Sequence, residues 1–221
     1  FAEMPSDCAN GGSYGFAAWG IKTFNFDANF FIFNDKWGSL YNAIQRANDV
    51  IRVLEKVPAN AITPEEALQV KAEAVFLRAI NHMKAVFIYG KVPYVDETIN
   101  FDNDNYNVTN TEPVWPKIEA DLEFAAANLT ETKTEAGRAN SWAAKAFLAK
   151  AYMHQDKFEE AKPLLKDIIE NGMTANGKKY ALVAKYFDTY NPATKNSSES
   201  VFAVQNSVND GSGGDNGNIK S

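Results

Sequence analysis

Cysteine is nearly absent from this chain. Cys8 is the only one among 221 residues, so no intrachain disulfide can form. Histidine is almost as scarce. His82 and His154 fall in different segments, no HxxxH or CxxC spacing occurs, and a metal site needs three or four clustered ligands. No apolar run approaches the roughly 20 residues that cross a bilayer as a helix. Positive charge is in deficit: 22 Lys and Arg stand against 28 Asp and Glu, a net charge of −6. Nucleic acid, whose phosphates favour a basic surface, is a poor partner for such a protein. The chain carries no G-x-S-x-G elbow, phosphate loop or dinucleotide fingerprint. Asp102-Asn103-Asp104-Asn105 opens like a calcium loop, but Asn107 and Pro113 stand where an EF-hand needs glycine and a late glutamate. No carboxylate pair is singled out by spacing. The expectation is a protein that catalyses nothing and holds neither metal nor cofactor.

What is present is helical patterning. The hydrophobic fraction is 45%, enough for a packed core. Val70, Ala74, Leu77, Ile80, Met83 and Phe87 recur at three- and four-residue steps, with Phe76, Ala79 and Val86 beside them, and predict a wide apolar stripe on a long helix over 64–89. Thr63-Pro64-Glu65-Glu66 announces its start, and Gly90 with Pro93 its end. Further helices are predicted over 37–57, from Pro113 to 129, over 140–154, and over 157–171, the last closed by Gly172. Leu148, Ala149, Tyr152, Phe158, Ala161 and Leu165 fit the small-and-large alternation of a tetratricopeptide unit. The expected fold is all-α: tetratricopeptide-like helix pairs in a right-handed superhelix, with long irregular loops.

Three stretches break the pattern. Residues 1–36 are rich in aromatics, glycine and asparagine without a helical period, and are expected to be irregular. Residues 96–111 are crowded with Asn and Asp and are expected to be an exposed loop. Beyond 172 the patterning fades. Residues 200–205 alternate at period two, as in a short strand, and the end is low-complexity. The expected organisation is a single domain fragment, with irregular residues 1–36, a helical core over 37–172 and an irregular end over 173–221. Phe1 is not an initiator methionine, so an excerpt or a mature fragment is expected.

An ordered set of short segments resembles the SusD/RagB-type outer-membrane lipoproteins of Bacteroidetes. They are Trp37 to Tyr41 with Ile44 and Arg46-Ala47-Asn48, Ala72-Glu73-Ala74, Phe76 to Ala79, and Tyr89 to Pro93. Trp115 to Leu122, Ala143 to Tyr152 and Ser198 to Phe202 complete it. The resemblance implies a nutrient- or glycan-binding protein on the cell-surface face of the outer membrane, partnered with a SusC-type TonB-dependent transporter. It also implies that this chain is the N-terminal half, without its extreme start. Two features depart from the family. No lipid-anchor cysteine is present, because Cys8 follows Pro5-Ser6-Asp7 rather than an apolar run and reads as a plain thiol. Loop 96–111 has asparagine where an arginine is often seen.

A pyranose offers an apolar C–H face to Trp or Tyr, and its hydroxyls need Asn, Asp, Gln or Arg. Trp19, with Asn25 beside it and Tyr14 near it, is the first candidate platform for a glycan or oligosaccharide ligand, and Tyr106 the second. Trp37, Trp115 and Trp142 start helices and read as core. Arg78 and Glu73 read as structural, each pairing with a neighbouring helix, for example at Asn48 or Arg46. The alternative is a tetratricopeptide scaffold, or a family relative, that binds a peptide or protein in its groove.

Overall fold

The computed structural model describes residues 15–58 and 60–205. Among them six α-helices run in order: α1 (Gly15–Lys22), α2 (Phe31–Leu54), α3 (Pro64–Tyr89), α4 (Trp115–Asn128), α5 (Ser141–His154) and α6 (Phe158–Asn171). From α2 onward each helix packs on the next, antiparallel, as tetratricopeptide-like pairs. Side chains tie the opposite ends together. The Tyr89 hydroxyl at the end of α3 donates to the Phe33 carbonyl near the start of α2 at 2.5 Å. Lys145 near the start of α5 reaches Asp167 near the end of α6 at 2.7 Å.

α3 forms where its signals place it. Thr63 and Glu66 make a reciprocal capping box, Pro64 occupies the first turn, and Gly90 leaves the helix at φ +74°, where a side chain would be strained. Its burial differs from the predicted stripe. Ala74, Phe76, Ala79, Ile80 and Met83 of that stripe are buried, but Leu77 is 41% exposed, while Ala72, Val75 and His82, outside it, are inside. α2 and α4 flank α3 on two sides and α5 touches it too, so no single face can describe it. Phe76 is fully buried at the centre, edge-on to Phe147 at 5.4 Å and Phe202 at 5.1 Å. Small residues set the helix spacing: Ala125, Ala143, Ala144, Ala149 and Ala161 are all buried, the last two as the repeat pattern required.

Several expectations are corrected. Segment 1–36 is not irregular throughout, since it contains α1 and the beginning of α2. Its aromatics are grouped by ring contact rather than by helical period; Phe26 and Phe33 meet edge-on at 5.0 Å. Residues 200–205 form no strand, and among the described residues the sole pairing of that kind is the isolated bridge Met173–Lys179. The alternation there instead turns Phe202 onto the core. Gly172 does end α6, but in an extended conformation. Glycine suits it because an added Cβ would lie 2.3 Å from the Ile168 carbonyl oxygen. Glu73 pairs not with Arg46 but with the α4–α5 connection, through Lys133 at 2.9 Å and Arg138 at 2.7 Å. Among the described residues no helix is long and apolar enough to cross a membrane.

Truncating the central ring tests this packing. Phe76→Ala is expected to cost about 3–5 kcal/mol in urea unfolding, whereas Thr63→Ala, which removes only the cap, should cost about 1 kcal/mol. Similar losses for the two would contradict the core placement of Phe76.

Candidate functional site

The chain leaves α3 at Gly90 and crosses to α4 through residues 91–114. The first part of this crossing is bolted to the bundle. Arg78, buried on α3, holds both oxygens of Asp121 on α4, with Nε to Oδ2 at 2.9 Å and Nη2 to Oδ1 at 2.7 Å. Its Nη1 donates to Asn48 Oδ1 on α2 at 3.1 Å and to the Glu97 carboxylate of the crossing. The Tyr94 hydroxyl donates to the same Asp121 at 2.7 Å. Burial works against the Arg78 cation, but Asp121 and Glu97 outweigh it and raise its pKa. Burial pushes the Asp121 carboxyl up, against the pull of Arg78 and Tyr94.

The backbone of this segment is held as firmly. The carbonyls of Pro93, Val95 and Glu97 accept from Tyr41 Oη at 2.7 Å, Asn48 Nδ2 at 3.0 Å and Arg52 Nη1 at 2.9 Å, all on α2. Asn48 and Arg52 are four residues apart, a rise of about 6 Å on a helix. That nearly matches the ~6.6 Å spanned by two residues of an extended chain. On the other side the Val95 N–H donates to His82 Nε2 at 3.1 Å. His82 Nδ1 must then carry the proton and donate to the Arg78 carbonyl at 3.1 Å. The imidazole is neutral, and it stacks on Tyr94 at 4.5 Å. Burial, opposed by the hydrogen bond to the Arg78 carbonyl, lowers its pKa to about 4. The face shared by α2, α3 and α4 is thus filled by the chain's own segment 93–97.

Beyond Glu97 the loop is braced by itself. Asn103 Nδ2 and Asn105 Nδ2 both donate to the Thr98 carbonyl, at 3.0 and 2.9 Å. Asn105 Oδ1 accepts from the Asn100 N–H at 2.9 Å, and Asn100 Oδ1 from the Asn103 N–H at 2.8 Å. Upon this frame stand Phe101 and Tyr106, 81% and 47% exposed, with ring centroids 4.9 Å apart. Asp102, Asp104 and Asn107 border them, exposed and without a side-chain hydrogen bond among the described residues.

Of the residues expected to form a site, Tyr106 therefore sits on a built loop. Trp19 is 60% exposed on α1, and the Asn25 N–H donates to the Gly20 carbonyl at 2.9 Å, so both belong to one helix–turn unit. Tyr14 and Cys8 lie outside the described residues. Trp142 is buried, and Trp37 and Trp115 pack against the core. Phe101 escaped the sequence reading, which sought rings with a polar tip. Its position in the asparagine-rich loop was the available signal. No group of three His, Cys, Asp or Glu residues able to hold a metal occurs among the described residues. His82 has both ring nitrogens engaged.

Comparison with known proteins adds an independent line. A family model for SusD-like proteins, described as starch-binding and associating with the outer membrane, matches residues 22–153. A SusD-like protein of Bacteroides ovatus is 28% identical over 181 residues, covering 76% of this chain and 32% of that protein. A laminarin-binding SusD-like protein superposes with a TM-score of 0.74 at 27% identity, over 86% of this chain and 41% of its own. A structure solved with a xylogluco-oligosaccharide superposes with a TM-score of 0.72 at 26% identity, over 87% and 39%. The chain spans about a third of the length of the curated relatives it matches.

The bolt makes two predictions. An unfolded histidine titrates near 6.5, and His82 in the fold at about 4. Between these values the unfolded chain binds the extra proton. The His82 contribution is therefore complete above pH 6.5 and is lost as pH falls toward 4, by about 3 kcal/mol in all. His82→Gln should show a shallower fall in urea stability across that window, and equal slopes would remove His82 as the cause. Arg78→Met should cost about 3–5 kcal/mol, because Asp121 is left buried and unpaired. Arg78→Met with Asp121→Leu should recover part of that loss.

Proposed function

The chain belongs to the SusD-like family, and from that membership we propose that it is a non-catalytic glycan-binding module. It captures an oligosaccharide at the cell-surface face of the outer membrane, where the protein is lipid-anchored, and hands it to a SusC-type TonB-dependent transporter. The 221 residues act as a single SusD-like domain fragment. The observation that carries this reading is the exposed Phe101–Tyr106 pair on a loop whose foot is fixed in the core.

The chemistry suits a sugar. The two rings offer π-faces to pyranose C–H groups, and each such contact is worth roughly 0.5–1.5 kcal/mol beyond area burial. Asn100, Asn103 and Asn105 hold the loop's shape, which leaves the sugar hydroxyls to Asp102, Asp104, Asn107 and the Tyr106 hydroxyl. Prior ordering of the loop lowers the entropic cost of binding. Trp19, with Asn25, supplies a second contact region on the α1 side. The similar laminarin-binding protein and the similar structure with a xylogluco-oligosaccharide make laminarin and xyloglucan oligosaccharides the first probes to try.

Calorimetry or affinity electrophoresis against laminarin and xyloglucan oligosaccharides tests the reading. Tyr106→Ala and Phe101→Ala should each weaken binding roughly three- to tenfold, and Trp19→Ala by a similar factor if α1 contributes. Glycan affinity indifferent to all three would reject these residues. Tight peptide binding with no glycan binding would replace the function with that of a tetratricopeptide scaffold.

A further inference from the structure

Beyond α6 the chain makes another loop that is closed at its foot and carries aromatic rings in its middle. The foot is residues 181–183 against 198–199. The Ala181 N–H donates to the Ser198 carbonyl at 3.3 Å, and Ser198 Oγ donates to the Ala181 carbonyl at 2.7 Å. The Val183 N–H donates to Glu199 Oε1 at 2.7 Å. Three residues further on, Phe202 meets Phe76 of the core edge-on. Between the two sides of the foot lie two one-turn 3-10 helices, Tyr186–Thr189 and Pro192–Thr194. Thr189 Oγ1 donates to the Tyr186 carbonyl and Thr194 Oγ1 to the Asp188 carbonyl, both at 2.6 Å. Asn191 Oδ1 accepts from the Ala193 N–H at 3.0 Å. Short polar side chains thus hold this loop, as asparagines hold 98–105.

The bracing does not bury the rings. Tyr186, Phe187 and Tyr190 are 77%, 72% and 69% exposed. The hydroxyls of Tyr186 and Tyr190 hydrogen-bond to each other at 2.8 Å, with ring centroids 5.3 Å apart and ring planes inclined at 65°. The two rings therefore lean together as a wedge. One pyranose cannot lie flat on both sides of a wedge, but two successive residues of a chain can take one side each. Three rings at this exposure offer roughly 300–550 Å² of contact surface. That falls short of the ~800 Å² per partner of a specific protein interface, and it suits a short stretch of glycan. Asp188 and Asn191 stand among the rings in sequence. The Asp188 carboxylate and Asn191 Nδ2 make no hydrogen bond among the described residues, which leaves them for sugar hydroxyls.

We infer that Tyr186, Phe187 and Tyr190, with Asp188 and Asn191, form a further saccharide-binding surface, one that takes two or more successive pyranose residues of a glycan chain. The rings receive the C–H faces of the sugars. The closed foot and the internal bonds set the loop before the ligand arrives, which lowers the entropic cost of binding. The inference rests on the glycan-binding reading and extends it to a second braced loop.

The test is calorimetry with glucose, laminarihexaose and a xyloglucan oligosaccharide. It compares the 221-residue chain with a variant carrying Trp19→Ala, Phe101→Ala and Tyr106→Ala, which silences the other contact regions. The variant should still bind at least one oligosaccharide, and bind glucose at least tenfold more weakly. Adding Tyr186→Ala and Tyr190→Ala should weaken oligosaccharide binding by about tenfold or more. Urea unfolding should hardly change on that addition, and a loss as large as that of Phe76→Ala would make the rings part of the packing and overturn the inference. If the unsubstituted chain binds an oligosaccharide but the variant does not, or binds indifferently to the two tyrosines, the inference falls and the glycan reading stands. Equal affinity for glucose also overturns it. If no saccharide binds either chain, both readings fall. Dimerisation that depends on Tyr186 and Tyr190, without saccharide binding, overturns the inference in favour of a protein contact.

Discussion

A buried guanidinium must be fully partnered or it destabilises the fold. Arg78 meets that demand by drawing on three separate pieces of chain at once. Asp121 comes from α4, Asn48 from α2, and Glu97 from the crossing between α3 and α4. Each partner then has obligations of its own. Asp121 accepts from Tyr94, and Asn48 donates to the Val95 carbonyl. The consequence is that residues 93–97, which lack any regular hydrogen-bonding pattern of their own, have nearly as fixed a path as a helix. One charge thereby sets the spacing of α2, α3 and α4 and fixes the foot of the loop.

The loop that follows separates shape from recognition. Its asparagines close short hydrogen bonds to Thr98 and to one another, so the backbone is satisfied without help from the bundle. Phe101 and Tyr106 are left outside, where burial cannot explain them. Such an arrangement suits a binding surface, because ligand contacts need not also organise the loop. It also bears on the groove reading of a tetratricopeptide scaffold. The chain's own extended segment lies on the face of α2, α3 and α4, gripped at alternate carbonyls, so an incoming peptide would have to displace it there.

How much of this was legible depended on whether the signal was local. The helices were, because period, caps and breakers act within a few residues. The capping box at Thr63 and the exit at Gly90 stand where those residues require. Tyr106 is conspicuous as an aromatic in a polar loop. Phe101, without a polar tip, stands out less beside it, and α1 was hidden by aromatics that pair through ring contacts instead of following a helical repeat. The period-two run at 200–205 misled because a single ring, Phe202, needed to turn inward, with no partner strand available.

By itself the sequence determined a helical core and the order of α2 to α6, with the ends of α3 to α6 nearly in place, since these follow from nearest-neighbour sterics and side-chain spacing; the family resemblance was carried by the ordered segments themselves. Only the tertiary structure decided which face of α3 is buried, that Glu73 serves the α4–α5 connection, and that Arg78 also binds a loop. Those facts join residues tens of positions apart. Pairing over such distances is set by how helices stack, and helix stacking is a property of whole surfaces rather than of any stretch of chain.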